Sequence, residues 1–261
     1  MILKMKFNML KRSLYIFIWL VLPICSFGND NAHQLFEKGN TLYSKGQYKE
    51  ALSTYQELLN DGYQSAVVYY NMGNTSYKLD DIPSAILYFE KAHKLAPADE
   101  DINFNIRLAN SKTTDKIDEI PDFFLARWWK SFIFSSSLNT LSVLSIIFFF
   151  AGSGLLILYF FEGAFSVKKY SFYASITGFF IGLVFVLMAG RQLSYFNSHK
   201  QAIVFSNSVT VKSGPVEKSS ALFVIHNGTK VNIEDNSNDW IKVKLINGNE
   251  GWIKASDVKE I

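Results

Sequence analysis

Asp99, Glu100 and Asp101 are adjacent carboxylates, and carboxylates grouped this way could hold a metal ion. A helix start explains them better, because acidic side chains there meet the positive end of the helix dipole. His33, His93, His199 and His226 are scattered without ligand spacing. The single cysteine, Cys25, can form no intrachain disulfide and cannot build a metal site alone. Ser208, Ser213, Ser219 and Ser220 supply hydroxyls, yet no His/Asp partnership stands beside them in sequence. No phosphate-binding glycine loop occurs. The net charge is only +3, and no basic stripe follows an aromatic series, so nucleic acid is not indicated as a partner. The sequence thus predicts no catalytic residue, no metal and no cofactor. The chemistry left is recognition. Asn40 and Asn74 carry amides that donate and accept at once, which suits holding a peptide backbone without reading its side chains.

The spacing of those two asparagines leads to the elements that would position them. They stand 34 apart, as do Gly39 and Gly73, Tyr43 and Tyr77, Ala51 and Ala85, and Tyr55 and Phe89. Thirty-four is the period of a helix–turn–helix unit that must stack on a neighbour to bury its apolar face. Leu35, Leu42, Tyr48 and Leu58 continue the helical spacing in the first unit. Tyr69, Met72, Ile82 and Ala92 do so in the second, which Pro97 ends. Gly39, Gly73, Ala51 and Ala85 are small enough for helices to approach closely. Gly46 and Asp80 mark the turns inside each unit. Ile102, Ile106 and Ala109 predict a further helix that caps the stack. These residues resemble the tetratricopeptide family. The resemblance places Phe36, Asn40, Tyr43, Ser44, Tyr70, Asn74, Tyr77 and Lys78 on a peptide-binding groove. The competing reading is that the asparagines satisfy local backbone and the tyrosines pack between helices. Lys78 is the groove's clear cation, too few for clamping a terminal carboxylate.

Hydropathy divides the remainder. Residues 1–28 read as a signal peptide: Lys4, Lys6, Lys11 and Arg12 lead, an apolar run follows, and Ser26 and Gly28 precede a cut before Asn29. Residues 29–112 are the repeat domain with its cap, and 113–131 a linker and interfacial segment. Residues 132–161 and 170–190 each lack charge over a length that crosses a bilayer. Trp128, Trp129, Tyr159, Tyr170, Tyr173 and Tyr195 flank them as interfacial rings. Gly152, Ser153, Gly154, Gly178 and Gly182 are small enough for close contact between the spans. The loop 162–169 carries Lys168 and Lys169, which favours its placement in the cytoplasm. Two spans return the chain to its starting side, so the flanking domains share the extracytoplasmic compartment.

From residue 201 the period becomes two. Five strands are predicted, around Val209–Val211, Leu222–Ile225, Lys230–Ile233, Trp240–Ile246 and Gly251–Ile253. Asn227-Gly228 and Asn247-Gly248 are hairpin turns. Alternation puts Ile241, Val243 and Leu245 in a core, and Trp240, Lys242 and Lys244 on the outer face. Trp240-Ile241-Lys242-Val243-Lys244-Leu245, then Gly248 and Gly251-Trp252-Ile253, resemble bacterial SH3-type domains, which implies that Trp240, Lys242 and Lys244 line a binding groove. The predicted fold class is a multi-domain membrane protein: an all-α tetratricopeptide solenoid, two transmembrane helices and a small all-β SH3-like barrel.

The order of these parts, with Asn105–Asp118, Phe123-Phe124-Leu125 and Trp128-Trp129, resembles BatE-type proteins of bacterial aerotolerance (Bat) operons. The resemblance implies an inner-membrane scaffold acting with other Bat proteins, among them membrane-anchored von Willebrand factor A-type proteins and a MoxR-type ATPase. An envelope sensor that binds peptidoglycan or cell-wall peptides through the barrel is the alternative.

Overall fold

The computed structural model describes residues 30–117 and 123–261. The expected signal peptide lies outside the described residues, as does 118–122 of the linker. Two units divide the described residues: Asn139–Ala189, and Asn31–Leu138 together with Gly190–Ile261.

In the second unit, five helices build the repeat layer: α1 (Asp30–Ser44), α2 (Tyr48–Asn60), α3 (Ala66–Lys78), α4 (Ile82–Leu95) and α5 (Glu100–Asn110). The starts of α3, α4 and α5 follow from capping chemistry. Ser65 Oγ accepts from Val68 N–H at 3.2 Å, Asp81 Oδ1 accepts from Ser84 N–H at 3.2 Å, and Pro83 occupies the first turn of α4, where its missing N–H costs nothing. Asp99 caps α5, its Oδ1 accepting from Asp101 N–H (3.0 Å) and Ile102 N–H (3.1 Å). The acidic triplet is therefore a helix start, and no metal-holding group occurs among the described residues. Gly39 and Gly73 interlock the two pairs in the same way. A Cβ on Gly39 would enter the Tyr55 ring, and one on Gly73 would lie 2.5 Å from Phe89 Cδ1. Tyr55 and Phe89 are each 1% exposed. Gly46 (φ +76°) and Asp80 (φ +60°) turn the chain through the left-handed region within each repeat.

After the linker, α6 (Phe124–Ile133) is a short helix of its own, where the sequence merges its end with the first span. The fully buried Gln192 meets its last carbonyl and the turn beyond it: Nε2 donates to Ile133 O at 3.5 Å and to Ser136 O at 3.0 Å.

Two helices are long and apolar enough to cross a membrane: α7 (Leu138–Phe161) and α8 (Phe165–Ser198). α8 begins before Lys168 and Lys169, so both lysines lie in its first turns rather than in a loop, and it runs eight residues past the expected span. Within Asn139–Ala189 the pair packs through small residues. Ser175 Oγ donates to Gly152 O at 2.8 Å, and a Cβ on Gly178 would lie 3.4 Å from Gly152 Cα. Gly182 faces the Phe149 ring, whereas Gly154 faces open space.

The C-terminal segment forms seven strands where five are expected: β1 (Gln201–Val204), β2 (Ser208–Lys212), β3 (Ala221–His226), β4 (Lys230–Ser237), β5 (Trp240–Lys244), β6 (Glu250–Lys254) and β7 (Val258–Glu260). The order is β3-β2-β6-β5-β4-β1-β7, with every pairing antiparallel. Ile241, Val243 and Leu245 lie in the core with Val211, Ile225 and Ile253. β1 is buried on both faces. Ala202 and Val204 face the barrel core, while Ile203 joins Ala85, Ile86, Leu87, Phe89 and Ala109 of the repeats. The barrel is thus seated on α4 and α5.

Candidate interaction surfaces

Consecutive first helices of the repeats are pinned by amides. Asn71 Nδ2 in α3 donates back to Asn40 Oδ1 in α1 at 2.9 Å, and Asn105 Nδ2 in α5 donates back to the Tyr70 hydroxyl in α3 at 2.9 Å. Asn71 and Asn105 are themselves 34 apart, a sequence echo that marks the pinning role and that the reading of the repeats passed over. Asn40 Oδ1 also accepts from the Tyr55 hydroxyl at 2.8 Å. Burial, with Tyr43 and Glu37 adding to it, pushes that phenol up to about 12 against the pull of a hydrogen bond from Asn71. Asn40 is therefore engaged in holding helices together. The side chain of Asn74, half-buried, makes no hydrogen bond among the described residues.

The other expected groove residues separate in the same manner. Phe36 packs beside Tyr55, ring centroids 6.3 Å apart, and borders an apolar cleft of about 450 Å³ with Leu58, Tyr63, Val67 and Val68. Tyr43 stacks edge-on against Tyr48 at 5.3 Å, and burial raises its pKa. Tyr70 packs on Phe89 at 5.9 Å. These rings serve packing. Tyr77 is half-buried with Lys112 Nζ 4.4 Å above its ring, and Lys78 is exposed. Lys112 also pairs with Asp80 at 3.3 Å. Phe104, one period on from Tyr70, is exposed on α5. Tyr77 also packs against the core formed by Ala85, Ile86 and Phe89, so Asn74, Lys78 and Phe104 are what this layer leaves available.

On the barrel, Trp240 pairs with Lys254 across β5 and β6. Lys254 Nζ lies 5.9 Å and Lys212 Nζ 5.4 Å from the Trp240 ring centroid. Glu217 joins both lysines, at 2.6 Å to Lys212 and 2.5 Å to Lys254. Their hydrogen bonds hold its carboxyl down to about 2. Of the two lysines the sequence pairs with Trp240, Lys242 is held by Glu250 at 2.8 Å, and Lys244 is exposed. The cations beside the indole are Lys212 and Lys254 instead, brought there by strand register. Sequence alternation ranks neighbours along β5 only, so it cannot find partners from β2 and β6.

A third constellation lies where the barrel meets the repeats. Asp115, in the segment after α5, receives three hydrogen bonds from the β3–β4 hairpin: His226 N–H to Oδ2 at 2.7 Å, Thr229 Oγ1–H to Oδ2 at 2.6 Å, and His226 Nδ1 with Oδ1 at 2.8 Å. Burial raises the Asp115 pKa, but the bonds from Thr229 and His226 outweigh it and hold the carboxyl below its ordinary range. Gly228 (φ +84°) packs against Thr113 and Ile86, where a Cβ would lie 2.8 Å from Thr113 Cγ2. Nearby, the buried Glu90 of α4 bonds Lys230 Nζ of β4 at 2.7 Å. His93, one turn along α4, is pulled down by desolvation. Every one of these contacts joins residues more than a hundred positions apart, so no local pattern announces them.

Comparison with known proteins gives two kinds of module. The bacterial SH3 domain family matches residues 207–259, and tetratricopeptide repeat families match residues 39–80 and 66–99. No curated protein matches the chain. Among solved structures, an NlpC/P60 family protein from Bacillus cereus ATCC 10987 is 17% identical over 27% of this chain, with a TM-score of 0.21. The match spans 23% of that protein's own length. Tetratricopeptide repeats and bacterial SH3 domains are interaction modules, so protein–protein contact is the function these parts have in common.

Proposed function

We propose that this chain is a non-enzymatic scaffold of the bacterial inner membrane. Its signal peptide directs export, α7 and α8 cross the bilayer, and the repeats and barrel face the periplasm. The repeat groove holds an extended segment of a partner protein. By the resemblance in part order, that partner belongs to a Bat-type complex involved in aerotolerance. The observation that carries the reading is the contrast between the two asparagines: Asn40 is spent on Tyr55 and Asn71, while Asn74 keeps its amide unengaged beside Tyr77 and Lys78. A backbone running past α3 would find one donor and one acceptor there.

The test is crosslinking in intact cells from a photoreactive side chain at the exposed Phe104. Capture of a Bat-type membrane protein that is lost on Asn74→Ala supports the groove. Capture that persists unchanged in Asn74→Ala removes Asn74 from the reading.

The barrel supports the alternative of an envelope sensor. A half-exposed indole flanked by two lysines within 6 Å, both held in place by Glu217, suits stacking on a sugar ring. Retention of the full detergent-solubilised chain on purified cell wall, lost on Trp240→Ala, favours the sensor. Equal retention of both proteins sinks it.

A further inference from the structure

We infer that α6 is a membrane-surface helix whose apolar face docks on the headgroup zone of a phospholipid bilayer, a contact additional to the two spans. The inference rests on the reading of α7 and α8 as membrane-crossing.

The side chains of α6 are segregated. At about 100° per residue, Phe124, Leu125, Trp128, Trp129, Phe132 and Ile133 fall within one half of the helix circumference. Arg127, Lys130 and Ser131, with the small Ala126, fill the other half. A soluble protein buries such a face. Here only Ile133 is buried, while Phe124 is 65%, Leu125 54%, Trp128 64% and Trp129 53% exposed. Phe123 extends the same patch at 66%. An apolar surface of this extent, rimmed by cations, marks a docking face.

Three features select a bilayer as the occupant. The patch is led by two adjacent tryptophans, whose amphipathic rings prefer the headgroup level, and the Phe132 ring stacks with both at 6.1 and 6.0 Å. The polar arc is cationic, and no carboxylate occurs from residue 123 to residue 161, which complements anionic lipid. The chain is also already at the membrane: residues 134–137 lead straight into α7, which is 24 residues long. A helix with a wide apolar arc and a basic opposite face lies in the interface plane rather than across it, and ten residues are too few to span.

The test uses the full chain with Cys25→Ala, reconstituted in vesicles of phosphatidylethanolamine and phosphatidylglycerol. Single nitroxide labels are placed through Leu125→Cys on the apolar arc, Ser131→Cys on the polar arc and Ile147→Cys in α7. Collision with oxygen and with a water-soluble nickel chelate reports depth. The expected result is deep immersion at 147, immersion of roughly 5–10 Å at 125, and nickel-dominated collision at 131. Phe132→Cys repeats the measurement on the apolar arc if the label at 125 prevents folding. With 147 immersed, nickel-dominated collision at 125 and 132 overturns the inference and leaves the spans intact. Shielding of 125 and 132 from both probes also overturns it, since protein then covers the face. Nickel-dominated collision at 147 defeats the span reading, and the inference falls with it.

Discussion

At the scale of single residues, the two asparagines are expected to respond in opposite ways. Asn40→Ala strands the Tyr55 hydroxyl and the Asn71 amide, and should cost about 1–3 kcal/mol in chemical denaturation. Asn74→Ala should leave stability within about 0.5 kcal/mol, because the amide it removes holds nothing in the fold. Gly73→Ala drives a methyl into the Phe89 ring and should cost about 1–3 kcal/mol. Asp115 is expected to make the barrel's seat sensitive to acid. Its carboxyl is held below the usual value, so its contribution is complete above about pH 4 and is lost as pH falls through the lowered value. Hydrogen exchange at the His226 amide, which donates to Asp115, checks this: protection should drop on acidification and be absent in Asp115→Ala at neutral pH. The residue pairs within repeats were legible because Gly39 and Tyr55 are copied at Gly73 and Phe89. Asp115 was not, because a lone aspartate in a polar linker acquires meaning only when His226 and Thr229 arrive from the far end of the chain.

At the scale of elements, what the sequence predicts correctly is what repeats or alternates. The four repeat helices show their period and their turn residues Gly46 and Asp80, and β5 shows a clean alternation of Ile241 and Val243 with Lys242 and Lys244. β1 escaped because Ala202, Ile203 and Val204 are all buried, which removes the polar half of the pattern. β7 is three residues long and has no room for a pattern. The end of α6 was folded into the first span because hydropathy alone does not register the helix break at residues 134–137, where three serines follow Phe134. The contact between the spans, in contrast, follows from small residues. Gly178→Leu places a large side chain against Gly152 Cα and the Phe148 carbonyl, and is expected to lower the midpoint of thermal unfolding in detergent relative to Gly154→Leu, which meets open space.

At the scale of the whole molecule, the repeats and the barrel share one compact unit. Lys230 joins them through the buried Glu90. Lys230→Met leaves that carboxylate without its partner and should cost about 2–3 kcal/mol, read as loss of exchange protection in β1 and α4 together rather than in β1 alone. The sandwiched strand β1 also sets a schedule. Ala85, Ile86 and Phe89 leave the ribosome long before Ile203, and α7 and α8 are made in between. The repeats must therefore wait, with an apolar face uncovered, until both hydrophobic helices have been delivered and the last sixty or so residues have followed. A contact that spans so much chain forms late and slowly. The unfinished protein is accordingly most open to aggregation, and to capture by chaperones, before its last strands are made.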